Sequence, residues 1–169
     1  MIPDDEKRLR RGPFGFGTWL QKIYMPKAEV YTDEARAVGA LWAPPGKWRM
    51  SVGLQARLAP RMLRLFGVRR MPLILKGLAT LDKAHPDEQP HYYLGILGTD
   101  PDHQGKGLGS AAMQPVLDRC DSEGLGAYLE SSKEQNVPFY RRHGFEVTGE
   151  VRMPGGPPLW PMWRDPQPR

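Results

Sequence analysis

Gln104-Gly105-Lys106-Gly107-Leu108-Gly109 is the stretch that decides the fold. An apolar run, Tyr92 to Thr99, precedes it and is closed by Asp100-Pro101. After it, Leu108, Ala112, Val116 and Cys120 recur four apart, which predicts a helix from Lys106 to near Glu123 with one buried stripe. Pro115 lies inside that helix and predicts a kink, because an interior proline removes a backbone hydrogen bond at a cost of about 3 kcal/mol. A strand that breaks into a glycine loop and restarts as a helix makes an anion site. Glycines let the backbone approach closely, and free N–H groups at the helix start point at the anion. A diphosphate fits that arrangement.

Two commoner phosphate loops do not match. A P-loop places a hydroxyl residue after Gly-Lys, but Gly107 follows Lys106, and the nearest upstream glycine, Gly98, is too far away. A dinucleotide fingerprint spaces its glycines as Gly-x-Gly-x-x-Gly, whereas here they fall at 105, 107 and 109. No second βαβ unit follows to complete a Rossmann sheet.

Further on, Ala127 to Ser131 reads as a short buried strand. Asn136 to Phe145 reads as a short helix with both ends written in. Asn136 suits the N-cap, Pro138 the first turn and Gly144 the left-handed C′ position. Phe145 then restarts a strand to Val151. Gln104-x-x-Gly107-x-Gly109 resembles the pyrophosphate loop of GNAT-type N-acetyltransferases. Asn136, Tyr140 and Gly144-Phe145 resemble that family's second signature, here with four positions from Asn to Tyr. Asp102 to Ala111 (DHQGKGLGSA), Leu129 to Val147 (LESSKEQNVPFYRRHGFEV) and Gly155 to Arg164 (GGPPLWPMWR) are similar to the puromycin N-acetyltransferase branch, from about Leu94 to Arg164.

The resemblance implies an α/β fold of α+β character. A mixed, mostly antiparallel sheet would contain a splayed parallel strand pair, with helices on both faces. It implies acetyl-CoA as co-substrate, with no metal, and direct acetyl transfer to the primary amine of a small molecule. An aminonucleoside antibiotic or another aromatic amine would be the acceptor, and antibiotic resistance the setting. Backbone groups of Leu97 and Thr99 would pair with pantetheine. An N–H of Gly98 or Thr99 would polarise the thioester carbonyl. N–H groups of Gln104, Gly105, Lys106, Gly107, Leu108, Gly109 and Ser110 would hold the diphosphate, with Lys106 adding charge. Asn136 matches a position that contacts pantetheine, and Tyr140 matches the proton donor to the departing sulfur. Glu130, on the strand beside the splay, is the candidate base. Asp100 and His103 are weaker candidates, and Asp100 suits a turn. The alternative reading is a non-catalytic acyl-CoA-binding module.

In the remaining chain, Phe14 to Tyr24 is expected to be helical, Ala28 to Thr32 and Ala35 to Ala43 a hairpin, and Met50 to Ala84 mostly helical. That last stretch should break near Pro60 and again between Gly67 and Pro72. Leu159 to Arg164 is the expected last strand, with Pro161 at an edge or a distorted position. Set beside the family, the chain starts late, so the family's first strand is expected to be missing. The expected organisation is one domain over 1–169, with the acceptor side over about 1–90 and the acetyl-CoA side over 91–169. Phe14, Phe16, Trp19, Met62 and Phe66 are candidates for an aromatic acceptor pocket.

Charge and composition exclude some classes. No apolar run approaches the roughly 20 residues of a membrane span. Ile2 to Arg11 is charged and lacks the core of a signal peptide, so a cytoplasmic protein with no membrane partner is expected. The net charge is +5, with basic residues at Arg57, Arg61, Arg64, Arg69 and Arg70. No nucleic-acid reader motif accompanies them, so no nucleic-acid partner is expected. The single cysteine, Cys120, lies on the apolar stripe and reads as a buried thiol. His85, His91 and His143 lack metal-ligand spacing. Oligomeric state stays open, a homodimer included.

Overall fold

The computed structural model describes residues 17, 20, 25, 26, 28–49 and 52–168. The expected helix from Phe14 to Tyr24 lies outside the described residues, Gly17 and Leu20 apart. Among the described residues a seven-stranded sheet runs β1 (Glu29–Thr32), β2 (Val38–Ala43), β3 (His91–Thr99), β4 (Gly126–Ser131), β7 (Pro158–Arg164), β5 (Glu146–Val147). A short β6 (Val151–Arg152) also pairs with β7. All neighbours are antiparallel except β3 and β4. The helices are α1 (Val52–Phe66), α2 (Met71–Ala84), α3 (Leu108–Glu123) and α4 (Val137–Arg141). This is the mixed α/β architecture that the resemblance implied.

The core lies between the sheet and α3. Strand alternation sends Val38, Ala40, Trp42, Tyr92, Leu94, Ala127, Leu129 and Met162 to that face. The α3 stripe meets them with Ala112, Val116 and Cys120, and Met113 and Leu117 widen it. Val137, Tyr140 and Phe145 close the same core from α4 and the turn after it. Gly144, at φ 83, makes the reversal that sends Phe145 back into the core. Only a residue free of Cβ strain holds that angle cheaply.

Three local expectations are corrected. The helix α1 runs through Pro60 without a break; the break falls at Gly67, where φ is 77. Pro60 is exposed, so its ring meets water on the outer face. The strand from Phe145 to Val151 is two short strands, β5 and β6, each paired to a different part of β7. Pro161 lies in an inner strand, opposite Glu130 of β4. Its carbonyl accepts from the Thr148 N–H at 2.9 Å, so its nitrogen faces the interruption between β5 and β6 and costs β4 no bond.

Two ion pairs fasten α3 to the sheet. The buried Arg164 guanidinium donates to both Asp121 oxygens, at 2.7 and 2.8 Å, and to the His143 carbonyl at 2.9 Å. At the other side Arg119 pairs with Glu29, donates to Tyr31 at 3.1 Å, and lies over the Tyr92 ring. Arg164→Ala removes the guanidinium that donates to both oxygens of the largely buried Asp121, while the Gln167 N–H still donates to Oδ1, so a loss of about 3 kcal/mol is expected in urea unfolding. A loss under about 1 kcal/mol would show that the fork is only a surface pair.

Burial pushes the Cys120 thiol up to about 12. In the unfolded chain the thiol ionises near pH 8.5. Between those values the unfolded state holds fewer protons, so stability falls as pH rises. Cys120→Ala should flatten this alkaline loss, and native Cys120 should resist thiol reagents at pH 8. Rapid labelling of the folded protein would contradict its burial.

Candidate functional site

The site begins where two strands part. Antiparallel pairing joins β3 to β2 from Tyr93↔Ala43 to Thr99↔Val38, with a register shift that makes Gly95 the extra residue. Parallel pairing joins β3 to β4 only from His91↔Gly126 to Leu94↔Leu129. Beyond Leu94 and Leu129 the two strands have no mutual partners. The bulge turns β3 toward β2 at the point where β4 leaves it.

Alternation tells which backbone groups face the opening. The Asp100 N–H donates to the Ala37 carbonyl at 2.7 Å, so Asp100 and Gly98 point toward β2. Leu97 and Thr99 therefore present their N–H and C=O groups to the opening. The Thr99 carbonyl already accepts from Gln104 Nε2 at 3.2 Å, which ties the strand end to the loop. The Leu97 side chain packs on the core.

The loop has the geometry its glycines allow. Gly105 and Gly107 have φ 76 and 78, the left-handed region. A Cβ at either would meet nothing within 4 Å, so backbone angle and not crowding requires glycine there. Gly107 is the N-cap of α3 and no side chain caps the helix. The Ala111 N–H takes the Gly107 carbonyl at 3.0 Å, so Leu108, Gly109 and Ser110 precede the first helical bond. Lys106 Nζ donates to the Asp102 carbonyl at 3.0 Å and so braces the loop. Asp100 caps the preceding 3-10 turn, accepting from the Asp102 N–H at 3.0 Å. That bond, with His103 beside it, holds the Asp100 carboxyl below its usual range.

Gly109 joins three elements. A Cβ there would lie 3.3 Å from the Phe139 ring of α4 and 3.8 Å from Thr99 Oγ1. The next residue, Tyr140, is buried, and burial raises its phenol above 10.0. Its ring packs edge-on to Phe139 and Phe145. Asn136 is exposed and makes no cap bond, since a 3-10 turn, Glu134–Asn136, runs directly into α4. Its expected capping role is corrected on that ground.

Glu130 is the first β4 residue past the parallel pairing, on the face away from α3. Its side chain is only 9% exposed. Oε2 accepts from the Tyr93 hydroxyl at 2.7 Å, and Oε1 lies 3.7 Å from His85 Nδ1. Around it stand Trp48, His85, His91, Tyr93 and Tyr128, an aromatic cluster on one face. Sequence reasoning missed this cluster. Its available signal was the two-residue alternation that puts His91 and Tyr93 on one face and Tyr128 and Glu130 on the same face of the next strand. The expected pocket residues Phe14, Phe16 and Trp19 lie outside the described residues, and so does the Phe66 side chain. Met62 is half-buried on α1.

A parallel strand pair thus opens beside an uncapped helix start with left-handed glycines. Residues 75–145 match the acetyltransferase (GNAT) family. An uncharacterized N-acetyltransferase of Schizosaccharomyces pombe is 33% identical over 100 residues, 59% of this chain and 38% of that protein. Mycothiol acetyltransferase of Propionibacterium freudenreichii is 34% identical over 76 residues, 43% of this chain and 24% of that protein. The chain thus spans well under half of these relatives. The fold superposes on a crystal structure of histone acetyltransferase HPA2 and related acetyltransferase from Corynebacterium glutamicum, with TM-score 0.68 and 23% identity, over 99% of this chain and 81% of the other. Among the described residues no helix is long and apolar enough to cross a membrane.

Gly126 gives a direct test of the aromatic face. A Cβ on it would fall 2.2 Å from the Trp163 ring, which packs edge-on to His91. Gly126→Ala should cost about 1–3 kcal/mol through overpacking and shift the Trp163 fluorescence. Unchanged stability and emission would mean that Trp163 is loosely held.

Proposed function

We propose that this domain binds acetyl-CoA and transfers its acetyl group directly to the primary amine of a small molecule. One observation carries the reading: the β3–β4 pairing ends at Leu94↔Leu129, so β3 turns the Leu97 backbone groups and the Thr99 N–H to the opening, between Glu130 and the glycine loop. The diphosphate is assigned to the N–H groups of Gln104 through Ser110, which lie at an uncapped helix start. Pantetheine is assigned to the opening, bonded by Leu97 and Thr99, with exposed Asn136 beside it. Of the two donors expected for the thioester carbonyl, the alternation favours Thr99, because Gly98 is turned to β2. Glu130 takes a proton from the incoming ammonium, and Tyr140 gives one to the leaving sulfur. A raised phenol stays protonated at neutral pH, as that role demands.

The acceptor is assigned to the Glu130 face, on the first half of the chain and across β3 and β4. Trp48, Tyr93 and Tyr128 there suit a cationic or aromatic amine. An aminonucleoside of the puromycin kind, and with it a resistance role in the cytoplasm, is the finer form of this reading.

Calorimetric titration of acetyl-CoA should give one site per chain. Gly107→Ala should weaken it, because the left-handed angle costs a side chain about 1–2 kcal/mol. With a panel of primary amines beginning with puromycin, thiol release should follow. Tyr140→Phe should lower kcat about 100-fold or more with acetyl-CoA affinity unchanged. Binding without thiol release from any amine would favour a non-catalytic acyl-CoA-binding module instead. Equal turnover by Tyr140→Phe would remove that residue from the chemistry.

A further inference from the structure

Four side chains on the face away from α3 form one chain of polar contacts that ends on a backbone carbonyl. The Tyr93 hydroxyl donates to Glu130 Oε2 at 2.7 Å. Glu130 Oε1 lies 3.7 Å from His85 Nδ1. His85 Nε2 lies 2.9 Å from His91 Nε2, and His91 Nδ1 lies 2.7 Å from the Gln89 carbonyl. Both imidazoles are buried, at 6% and 3% exposure.

The proton positions follow by elimination. A carbonyl only accepts, so His91 Nδ1 carries a hydrogen. Burial lowers the His91 pKa, so the ring is neutral and its Nε2 offers a lone pair. His85 Nε2 must then carry the hydrogen between the two rings. His85 Nδ1 is left facing the Glu130 carboxylate. Packing alone would be served by two phenylalanines. Two ring nitrogens at 2.9 Å with an assigned tautomer hold the His85 ring with its Nδ1 toward Glu130.

We propose that His85, oriented by His91, is the positioning residue that receives the amine's proton from Glu130; this rests on the acetyl-transfer reading. The ammonium N–H bond breaks, its electron pair stays on nitrogen, and the proton bonds to Glu130. It then passes to His85 Nδ1, which becomes an imidazolium beside the restored carboxylate. The freed amine attacks the thioester carbon. The C–S bond breaks with its electron pair on sulfur, and Tyr140 protonates the sulfur. The second proton shed by nitrogen as the amide forms restores Tyr140. One proton remains on His85 and leaves to solvent before the next turnover.

Trp48, Tyr93, Tyr128 and Trp163 pack on the pair. Trp48 stacks on His85 with ring centres 3.6 Å apart, and Arg49 beside it is paired with Asp87. Tyr93 of β3 and Tyr128 of β4 meet His85 edge-on, at 4.8 and 4.6 Å. Asp87 and Glu130 are the acidic groups that act on His91.

The test has two arms on the full chain. In the first, nitrogen NMR of the labelled protein reads coupling through the hydrogen bond between His85 Nε2 and His91 Nε2. Coupling with His91 as the Nδ1–H tautomer is expected, and it should vanish in His91→Phe. Absent coupling, or the other His91 tautomer, overturns the relay. The second arm measures thiol release from acetyl-CoA with an amine that the panel shows to be turned over. His85→Gln should lower kcat about 10–100-fold, change the shape of the pH profile, and leave the KM for acetyl-CoA unchanged. Combined with Glu130→Gln, its effect should be far less than the product of the two. A pH profile equal to that of the parent, or multiplicative losses, overturns the relay while the transfer reading stands. Should His85→Gln fail to fold by circular dichroism, His91→Gln carries the same expectations at smaller size. Acetyl-CoA binding without turnover of any amine overturns both the transfer reading and the relay.

Discussion

The parallel pairing of β3 and β4 stops at Leu94 and Leu129, and the rest of the site depends on that stop. Unpaired backbone in a sheet interior is costly. Here each diverging strand is held on its outer side: β3 by β2 as far as Thr99, and β4 by β7 as far as Ser131. The opening is therefore a gap between two supported strands and not a frayed end. It turns the Leu97 N–H and C=O and the Thr99 N–H to the gap, where an extended amide-bearing chain can pair with them, while the Thr99 carbonyl takes Gln104 Nε2. The extra residue at Gly95 lets β3 bend while keeping its β2 register on both sides.

The two faces of the sheet do different work. Toward α3 the face is apolar and closely filled, with Trp42, Met113, Leu129, Phe145 and Met162 among its least exposed residues. Opposite α3 lie His85, His91, Tyr93, Tyr128 and Glu130, a set that a folding core alone would not select. Buried ionisable groups cost free energy unless they are paired. Here each is satisfied by the next, which explains why the cluster is tolerated. Ion pairs of Arg119 with Glu29 and of Asp121 with Arg164 hold the last turns of α3 to both sides of the sheet.

Most of the architecture was legible because its signals are local. The four-residue stripe predicted α3, the glycines from 105 to 109 predicted the loop that breaks strand from helix, and the left-handed Gly144 predicted the end of α4. Pro161 was misread because a strand proline's cost depends on which neighbour its nitrogen faces, and here that is the β5–β6 interruption. Pro60 was misread because α1 continues through it, which a local rule does not foresee. Asn136 was misread because a 3-10 turn continues into α4 and leaves no orphan N–H for its side chain. The His85–His91 contact was invisible because it joins the end of α2 to β3 across a polar turn, and neither residue has a ligand-like spacing. The splay could be expected from the resemblance, yet its end at Leu94 follows from register alone.

The same register separates the two charged ends of the proposed reaction. Five steps of β3 separate Leu94 from Thr99, about 16 Å at the usual strand rise. An anion on the glycine loop therefore lies far from Glu130. At an effective dielectric of about 20, one charge at that distance contributes about 1 kcal/mol, before the helix start and Lys106 offset it. A diphosphate bound beside the carboxylate would oppose its ionisation much more strongly. The long arm of strand thus lets one small domain hold a polyanion firmly while a carboxylate at the other end of the opening remains free to take a proton. His85 and His91 lie past that carboxylate and on the face away from α3, so the path assigned to the departing proton does not cross the anion site.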